Sequence, residues 1–343
     1  MKKLVLILFF SSIFTNIFAA GQLDTKNKGE LNVYGCCEEA YLVAACQKFE
    51  KMYGIKTHYQ RLSTVEALER IADAHGAPSA DIWFGGTTDP FNEAATKGLL
   101  LPYEARNACH LTEKLYKDPQ NRWYGIYLGI LGFYWNKTEL RRLKLDPPKD
   151  WEDLINPKYQ GLIAFGSPKT SGTGRMVVNT IVQHRGEESA MAYFKKLNKN
   201  VAFYTESGIT PAKLLATGEV VIGIGFLHDA LCQIVDYNYD NIGLTVPYSG
   251  TSYEIGPVAI LAGCKNEENA KKFIEFALSP DCVSLAQKNG SYQLLLLDNA
   301  PPVKAAISAG LEKNADIGYD FEDARLNGED YCNMFFQTIS EDN

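Results

Sequence analysis

Short apolar runs alternate with amphipathic segments along the first hundred residues that follow an apolar leader. Residues 31–34, 55–60 and 81–84 predict three strands, and residues 38–53 and the capping box Ser63–Glu66 predict two helices between them. The helix over 38–53 is expected to turn Tyr41, Ala44, Ala45, Phe49 and Met52 inward. This order predicts a parallel sheet in an α/β fold, with loops 35–38, 61–63 and 86–89 at the carboxyl ends of its strands.

Two longer apolar segments with spaced glycines follow, at residues 123–136 and 253–261. Each is typical of a strand that crosses between two lobes, and residues 220–226 predict a fully buried strand between them. We therefore expect two discontinuous α/β lobes. Residues 21–128 and 256–343 form the first lobe in this prediction, and residues 129–255 form the second.

A third pattern lies at residues 162–174, where an apolar strand runs into a turn rich in glycine and hydroxyl groups. A helix is predicted from about residue 175. Backbone N–H groups and the hydroxyls of Ser171 and Thr173 would then converge with Gly172 at one helix N-terminus, an arrangement that binds anions. The lysine at 169 precedes the last glycines, so the loop is not a Walker nucleotide loop.

The N-terminus has the form of a secretory signal peptide over residues 1–20, with Lys2 and Lys3, the apolar run 4–10 and small residues at Ala19 and Ala20. The first cysteine is Cys36, so no lipidation pattern follows the leader. The net charge is −7 and becomes more negative without the two leader lysines, which argues against nucleic acid as the partner. A small anionic ligand remains open, because salt screens distant charges within about 8 Å.

Eight cysteines in an exported chain predict some disulfides, although their spacing gives no zinc or redox motif. Cys264 and Cys282 flank a predicted helix and are a candidate pair, and Cys46 is a candidate partner for Cys36 or Cys37. The five histidines show no HExxH spacing, and there is no GxSxG elbow. We therefore expect neither an enzyme nor a metal or organic cofactor.

The ordered motifs together resemble the type II periplasmic solute-binding proteins of ABC importers. The motifs are ADIWFGGTTDP, GLLLPY, YGIYLGILGFYWN, DWEDLINPKYQGLIAFGSPKTSGTG, GEVVIGIGF and EIGPVAIL. They are most similar to the branch that binds ferric ion, phosphonates and hexose phosphates. The resemblance implies a monomeric, periplasmic Venus-flytrap receptor whose two lobes close on one solute and whose partner is a permease in the inner membrane.

Within that branch the ligand motifs favour a hexose phosphate such as glucose 6-phosphate. Ferric-binding relatives have tandem tyrosines where this chain has His228-Asp229, although Tyr204, Tyr248 or Tyr253 could enter the cleft and keep iron open. Arg61 could pair with the anion, and Asp229 or Glu254 could meet the amine of aminoethylphosphonate, so a phosphonate also remains open. The expected ligand-binding residues are Cys37, Glu38, Ser63, Thr87, Asp89, Ser171, Gly172, Thr173, His228, Asp229 and Glu254.

Overall fold

The computed structural model describes residues 29–311 and 318–340. The predicted signal peptide lies outside these residues. The strands are β1 Glu30–Gly35, β2 Lys56–Arg61, β3 Ile82–Phe84, β4 Leu100–Leu101, β5 Tyr124–Asn136, β6 Ile163–Gly166, β7 Val201–Thr205, β8 Ile222–Phe226, β9 Ile242–Thr245, β10 Tyr253–Leu261 and β11 Leu294–Leu295. No helix in the described ranges is both long and apolar enough to cross a bilayer.

Helices connect these strands, and most of them follow a strand directly. They are α1 Glu39–Tyr53, α2 Thr64–Asp73, α3 Thr88–Thr96, α4 Lys137–Leu143, α5 Gly172–Arg185, α6 Glu187–Asn200, α7 Thr210–Thr217, α8 Leu227–Tyr237, α9 Glu267–Ala277, α10 Pro280–Val283, α11 Lys304–Ser308 and α12 Phe321–Ser340. The strand-to-helix alternation predicted from the apolar pattern is confirmed, with most element ends within two residues of the expected positions.

Strand β5 joins two halves of one sheet with the order β2-β1-β3-β10-β5-β8-β6-β7. Its residues up to Ile130 pair with β10, and its residues from Leu131 onward pair with β8. The first sheet half therefore contains β1, β2, β3 and β10, and the second contains β6, β7 and β8. The crossing predicted over 123–136 is confirmed, and the two-lobed α/β fold follows from it.

The parallel strands in each half point their carboxyl ends toward the junction of the halves. Strands β1, β2 and β3 are mutually parallel, as are β6, β7 and β8. The helices that follow β1, β2, β3, β6, β7 and β8 are α1, α2, α3, α5, α7 and α8. Their N-termini consequently face the space between the two halves.

Three local predictions need correction. Helix α5 begins at Gly172 rather than at residue 175, because Ser171 is its N-cap and accepts a hydrogen bond from the Gly174 amide at 3.2 Å. Met52 is 45% exposed, since it lies in the last turn of α1 beyond the edge of the core, and Ala44 is half-buried. Tyr41, Ala45 and Phe49 are buried as predicted.

The predicted Cys264–Cys282 disulfide is wrong in this structure. All eight cysteines lie in the described ranges, and each has a free thiol. The eleven residues of α9 separate the pair, and at 1.5 Å per residue such a helix holds its ends much farther apart than a disulfide allows. Cys282 instead lies 3.8 Å from the Tyr41 hydroxyl. Cys36 accepts a hydrogen bond from the Trp83 indole at 3.2 Å, and burial raises its pKa to about 12.

The C-terminal helix α12 packs against α5 and α6, which belong to the second sheet half, and also against α3 of the first. Helix α12 therefore contacts both halves. The division of the chain at residues 128 and 255 remains a prediction.

Candidate functional site

A cleft lies between the two sheet halves. Loops before six helices, α1, α2, α3, α5, α7 and α8, form most of its wall. Ten of the eleven predicted site residues line it: Cys37, Glu38, Ser63, Thr87, Ser171, Gly172, Thr173, His228, Asp229 and Glu254. The cleft is thus a meeting point of positive helix ends.

One end of the cleft is rich in hydroxyl groups and main-chain amides. Gly172 lies against Thr87 and Thr64 of the opposite half, and a β-carbon at Gly172 would be only 2.1 Å from the Thr87 hydroxyl oxygen. No larger residue fits there while the cleft is closed. The Thr87 hydroxyl is buried and has no hydrogen-bond partner among the described residues. We call this the hydroxyl end of the cleft; it contains Ser63, Thr64, Thr87 and residues 171–173.

The rims of the cleft touch each other near the hydroxyl end. The Ser63 hydroxyl donates a hydrogen bond to the Glu206 carbonyl oxygen at 3.3 Å. On another part of the rim, the Lys213 ammonium lies 3.6 Å from Glu38. These contacts join the two halves, so the cleft is closed.

The other end of the cleft contains His228, Asp229 and Glu254, and we call it the acidic end. Nε2 of His228 lies 3.4 Å from Asp229 and 3.8 Å from Glu254, longer than usual hydrogen bonds. Burial lowers the pKa of His228 to about 3, so its imidazole is neutral. Its Nδ1 atom is buried and unpaired within the described ranges. The ring stacks on Phe226 with centroids 5.5 Å apart.

Both carboxyl groups at the acidic end favour the protonated form. Burial, reinforced by the charge of Glu38, raises the pKa of Asp229 to about 8, while Lys213 and Arg61 oppose this shift. Burial and the neighbouring Asp229 hold the pKa of Glu254 well above its usual value. In the closed cleft these groups can therefore donate as well as accept hydrogen bonds.

Asp89 is the predicted site residue that does not line the cleft. Its Oδ2 atom accepts hydrogen bonds from the Tyr319 hydroxyl at 2.7 Å and the Asn179 side chain at 3.1 Å. Thr87 is the N-cap of α3, and Asp89 lies within the first turn of the helix. Asp89 thus points to the helix behind the cleft, and burial raises its pKa to about 6.

Several lining residues were missed by the sequence reasoning. They are Thr64, Tyr127, Ser207, Gly208, Ile209, Phe226 and Gln293, whereas Cys36 and Gly86 lie in the predicted loops 35–38 and 86–89. Ser207 and Gly208 follow β7 and precede α7, so the strand-to-helix rule could have found them. Arg61, which is expected as a possible partner of the anion, also lines the cleft, and its Nε atom donates to the Cys37 carbonyl at 3.2 Å.

The tyrosines considered for iron lie elsewhere. The Tyr204 hydroxyl donates to Asn198 at 2.7 Å, Tyr248 is 79% exposed, and Tyr253 packs on Phe321. Tyr127 does line the cleft, but its hydroxyl accepts the Gly86 amide hydrogen at 2.8 Å, and burial holds its pKa well above the usual value. Across residues 29–311 and 318–340, no three His, Cys, Asp or Glu side chains are grouped to hold a metal ion.

Comparison with known proteins identifies the family of this chain. Residues 77–316 match the family profile described as bacterial extracellular solute-binding protein. The chain belongs to this family. An uncharacterised protein of Haemophilus influenzae is 36% identical over 318 residues, which cover 91% of each chain.

Solved structures agree with this assignment. The periplasmic binding protein AfuA of Actinobacillus pleuropneumoniae, with exogenous fructose-6-phosphate bound, has a TM-score of 0.86 and 35% identity over 92% of this chain and 99% of its own. A ferric binding protein of Campylobacter jejuni has a TM-score of 0.76 at 21% identity, over 90% of this chain and 99% of its own, which supports the fold alone. The chain is a solute-binding protein of an ABC importer, and its relatives are binding proteins rather than enzymes.

Proposed function

We propose that this chain is a periplasmic receptor that captures a hexose phosphate, such as glucose 6-phosphate, and delivers it to a permease in the inner membrane. It acts as a monomer after removal of its leader. The observation that carries this proposal is the two-ended cleft, with helix N-termini and hydroxyls at one end and a neutral imidazole with two carboxyl groups at the other. The similarity to AfuA, whose structure holds fructose-6-phosphate, supports the same solute class.

The hydroxyl end suits a phosphate group. The first amides of a helix have no partner within the helix, so those of α2, α3 and α5 that no capping side chain occupies are available to an anion. Thr87 and Thr173 add hydroxyl donors from opposite halves of the sheet, and both are at least nine-tenths buried. Binding of phosphate at this end would therefore hold the cleft closed from both sides.

The acidic end suits sugar hydroxyls, because each hydroxyl both donates and accepts. The unpaired Nδ1 of His228 provides one partner, and the protonated or ionised carboxyls of Asp229 and Glu254 provide others. The raised pKa of both acids favours a neutral hydroxyl over the ammonium of aminoethylphosphonate. The lack of an accessible phenolate at Tyr127 likewise disfavours ferric ion. Aminoethylphosphonate and ferric ion remain the alternative ligands of this proposal.

Replacing Thr173 with Val removes one donor while it keeps the side-chain shape. A hydrogen bond to a charged group contributes about 1.5–3 kcal/mol, so we expect Thr173→Val to weaken glucose 6-phosphate and inorganic phosphate by roughly tenfold or more. Titration calorimetry measures both. Thr217→Val is the matched control, because Thr217 donates to the Leu214 carbonyl at 3.0 Å at the end of α7 and does not line the cleft. Unchanged affinity in Thr173→Val would mean that the loop is only a structural turn.

A further inference from the structure

A second set of polar contacts joins the two sheet halves behind the cleft. Asp89, Glu93 and Thr96 lie on one face of α3, at the i, i+4 and i+7 spacing. Each contacts a side chain from α5 or from the C-terminal segment that begins at Tyr319. This face of α3 is therefore bonded to α5 of the opposite half and to the C-terminal segment along its whole length.

The contact at Asp89, in the first turn of α3, is the most buried. Asp89 is 5% exposed, and one of its carboxylate oxygens accepts hydrogen bonds from Asn179 of α5 at 3.1 Å and from Tyr319 at 2.7 Å. Helix α12 covers this contact, since a β-carbon at Gly328 would lie 3.0 Å from the Asn179 side chain. Three segments that are distant in sequence thus meet at one carboxylate.

Two further contacts lie beyond Asp89 along α3. Arg175 of α5 lies 3.1 Å from Glu93, and both side chains are largely buried at 18% and 20% exposure. Arg325 of α12 donates to the Thr96 hydroxyl at 3.0 Å. Partly buried ion pairs are less screened by salt than surface pairs, so the Arg175–Glu93 pair is expected to persist in physiological salt.

These contacts are connected mechanically to the cleft. Helices α3 and α5 begin at its two walls, where Thr87 meets Gly172, and Asp89 lies in the first turn of α3. Opening the cleft has to move the start of α3 away from the start of α5. We propose that Asp89, Asn179 and Tyr319, together with the Arg175–Glu93 pair, form a clasp that is complete only in the closed state and sets how readily the cleft closes.

The clasp has a distinctive effect on binding. The clasp does not line the cleft, so it does not discriminate between one solute and another. A contact that stabilises only the closed state changes the population of the binding-competent form, and this changes the apparent affinity for every solute by the same factor. The cleft residues, in contrast, determine the ratio between the affinities of different solutes.

The test uses Tyr319→Phe and Asn179→Leu, each of which removes one donor to the Asp89 carboxylate with little change in shape. Tyr331→Phe is the matched control, because that hydroxyl donates to Asp323 at 3.0 Å within α12 and does not reach α3. The dissociation constants of glucose 6-phosphate and fructose 6-phosphate are measured by calorimetry. A second measurement needs no solute: cysteines introduced at Ser63 and Glu206, whose loops touch across the rim, are oxidised, and the cross-linking rate reports closure.

We expect both clasp variants to weaken the two sugar phosphates by the same factor, about tenfold, and to slow cross-linking of the ligand-free protein by a similar factor. The control should change neither. A lowered melting temperature with unchanged affinity and unchanged cross-linking would overturn the clasp, since the contacts would then exist in open and closed states alike. A changed ratio of the two affinities would also overturn it. Should the parent protein bind neither sugar phosphate, the proposed function fails and cross-linking still decides the clasp.

Discussion

Glucose 6-phosphate is expected to bind at least about a thousandfold more tightly than free glucose, a difference of about 4 kcal/mol. Three charge-assisted hydrogen bonds of about 1.5–3 kcal/mol each exceed this value. The amides at the starts of α3 and α5 and the hydroxyls of Thr87 and Thr173 supply more than three donors. Free glucose would leave these donors unpaired in a closed cleft, which adds a desolvation cost.

The carboxyl groups of the cleft do not reverse this preference. Asp229 and Glu254 lie beside His228 at the acidic end and Glu38 lies beside Lys213 on the rim, whereas the hydroxyl end is formed around Gly172 and Thr87. Burial also raises the pKa of Asp229 to about 8, which reduces its negative charge at neutral pH. Calorimetric titration with glucose, glucose 6-phosphate and inorganic phosphate measures the difference. Equal affinity for the two sugars would refute the assignment of the hydroxyl end to phosphate.

Gly129→Ala is expected to weaken glucose 6-phosphate by about a hundredfold. A β-carbon at this position of β5 would lie 2.5 Å from Cε1 of His228, 2.7 Å from its Nδ1 and 2.8 Å from Oε1 of Glu254. The added methyl must push the imidazole toward the solute, and a displacement of about 1 Å in a preorganised site has an effect of this size. The same overpacking should reduce the free energy of unfolding by about 1–3 kcal/mol.

Gly125→Ala separates the two effects. It lies on the same strand, and its β-carbon would meet Ile255 at 2.5 Å and Leu296 at 3.0 Å, neither of which lines the cleft. We expect a similar loss of thermal stability but an affinity close to that of the parent protein. Calorimetry and thermal unfolding on both variants measure this. An unaltered affinity in Gly129→Ala would argue against a role for the His228 and Glu254 pair in holding the sugar.

The fold follows from the sequence because each sheet half is built from local strand-to-helix units. The apolar runs that became β1, β3, β5 and β10 are long or regular enough to identify without tertiary information. Met52 was misassigned because helical spacing defines a face but not where the core beneath that face ends. The predicted Cys264–Cys282 disulfide was wrong for a related reason. Two cysteines that flank a helix are close in sequence, but the length of the helix keeps them apart in space.

The site was predictable where it depends on the same rule. Loops at the carboxyl ends of parallel strands meet, so residues such as Glu38, Thr87 and His228 line one cleft although they are far apart in sequence. The prediction for Asp89 was wrong because Asp89 lies inside the first turn of α3, where its side chain points away from the cleft and toward α5. Gln293 directly precedes β11, in a stretch where no helical or strand periodicity of apolar residues indicates its position.

The natural solute that we propose is a small phosphorylated sugar, and the identity of this solute can be measured directly. The most direct test is mass spectrometry of the small molecule retained by protein purified from the periplasm without refolding, since a closed cleft of this kind releases a tightly bound solute slowly. We predict a hexose phosphate in nearly every occupied molecule. Recovery of an unphosphorylated sugar, a phosphonate or a ferric ion in its place would contradict the account.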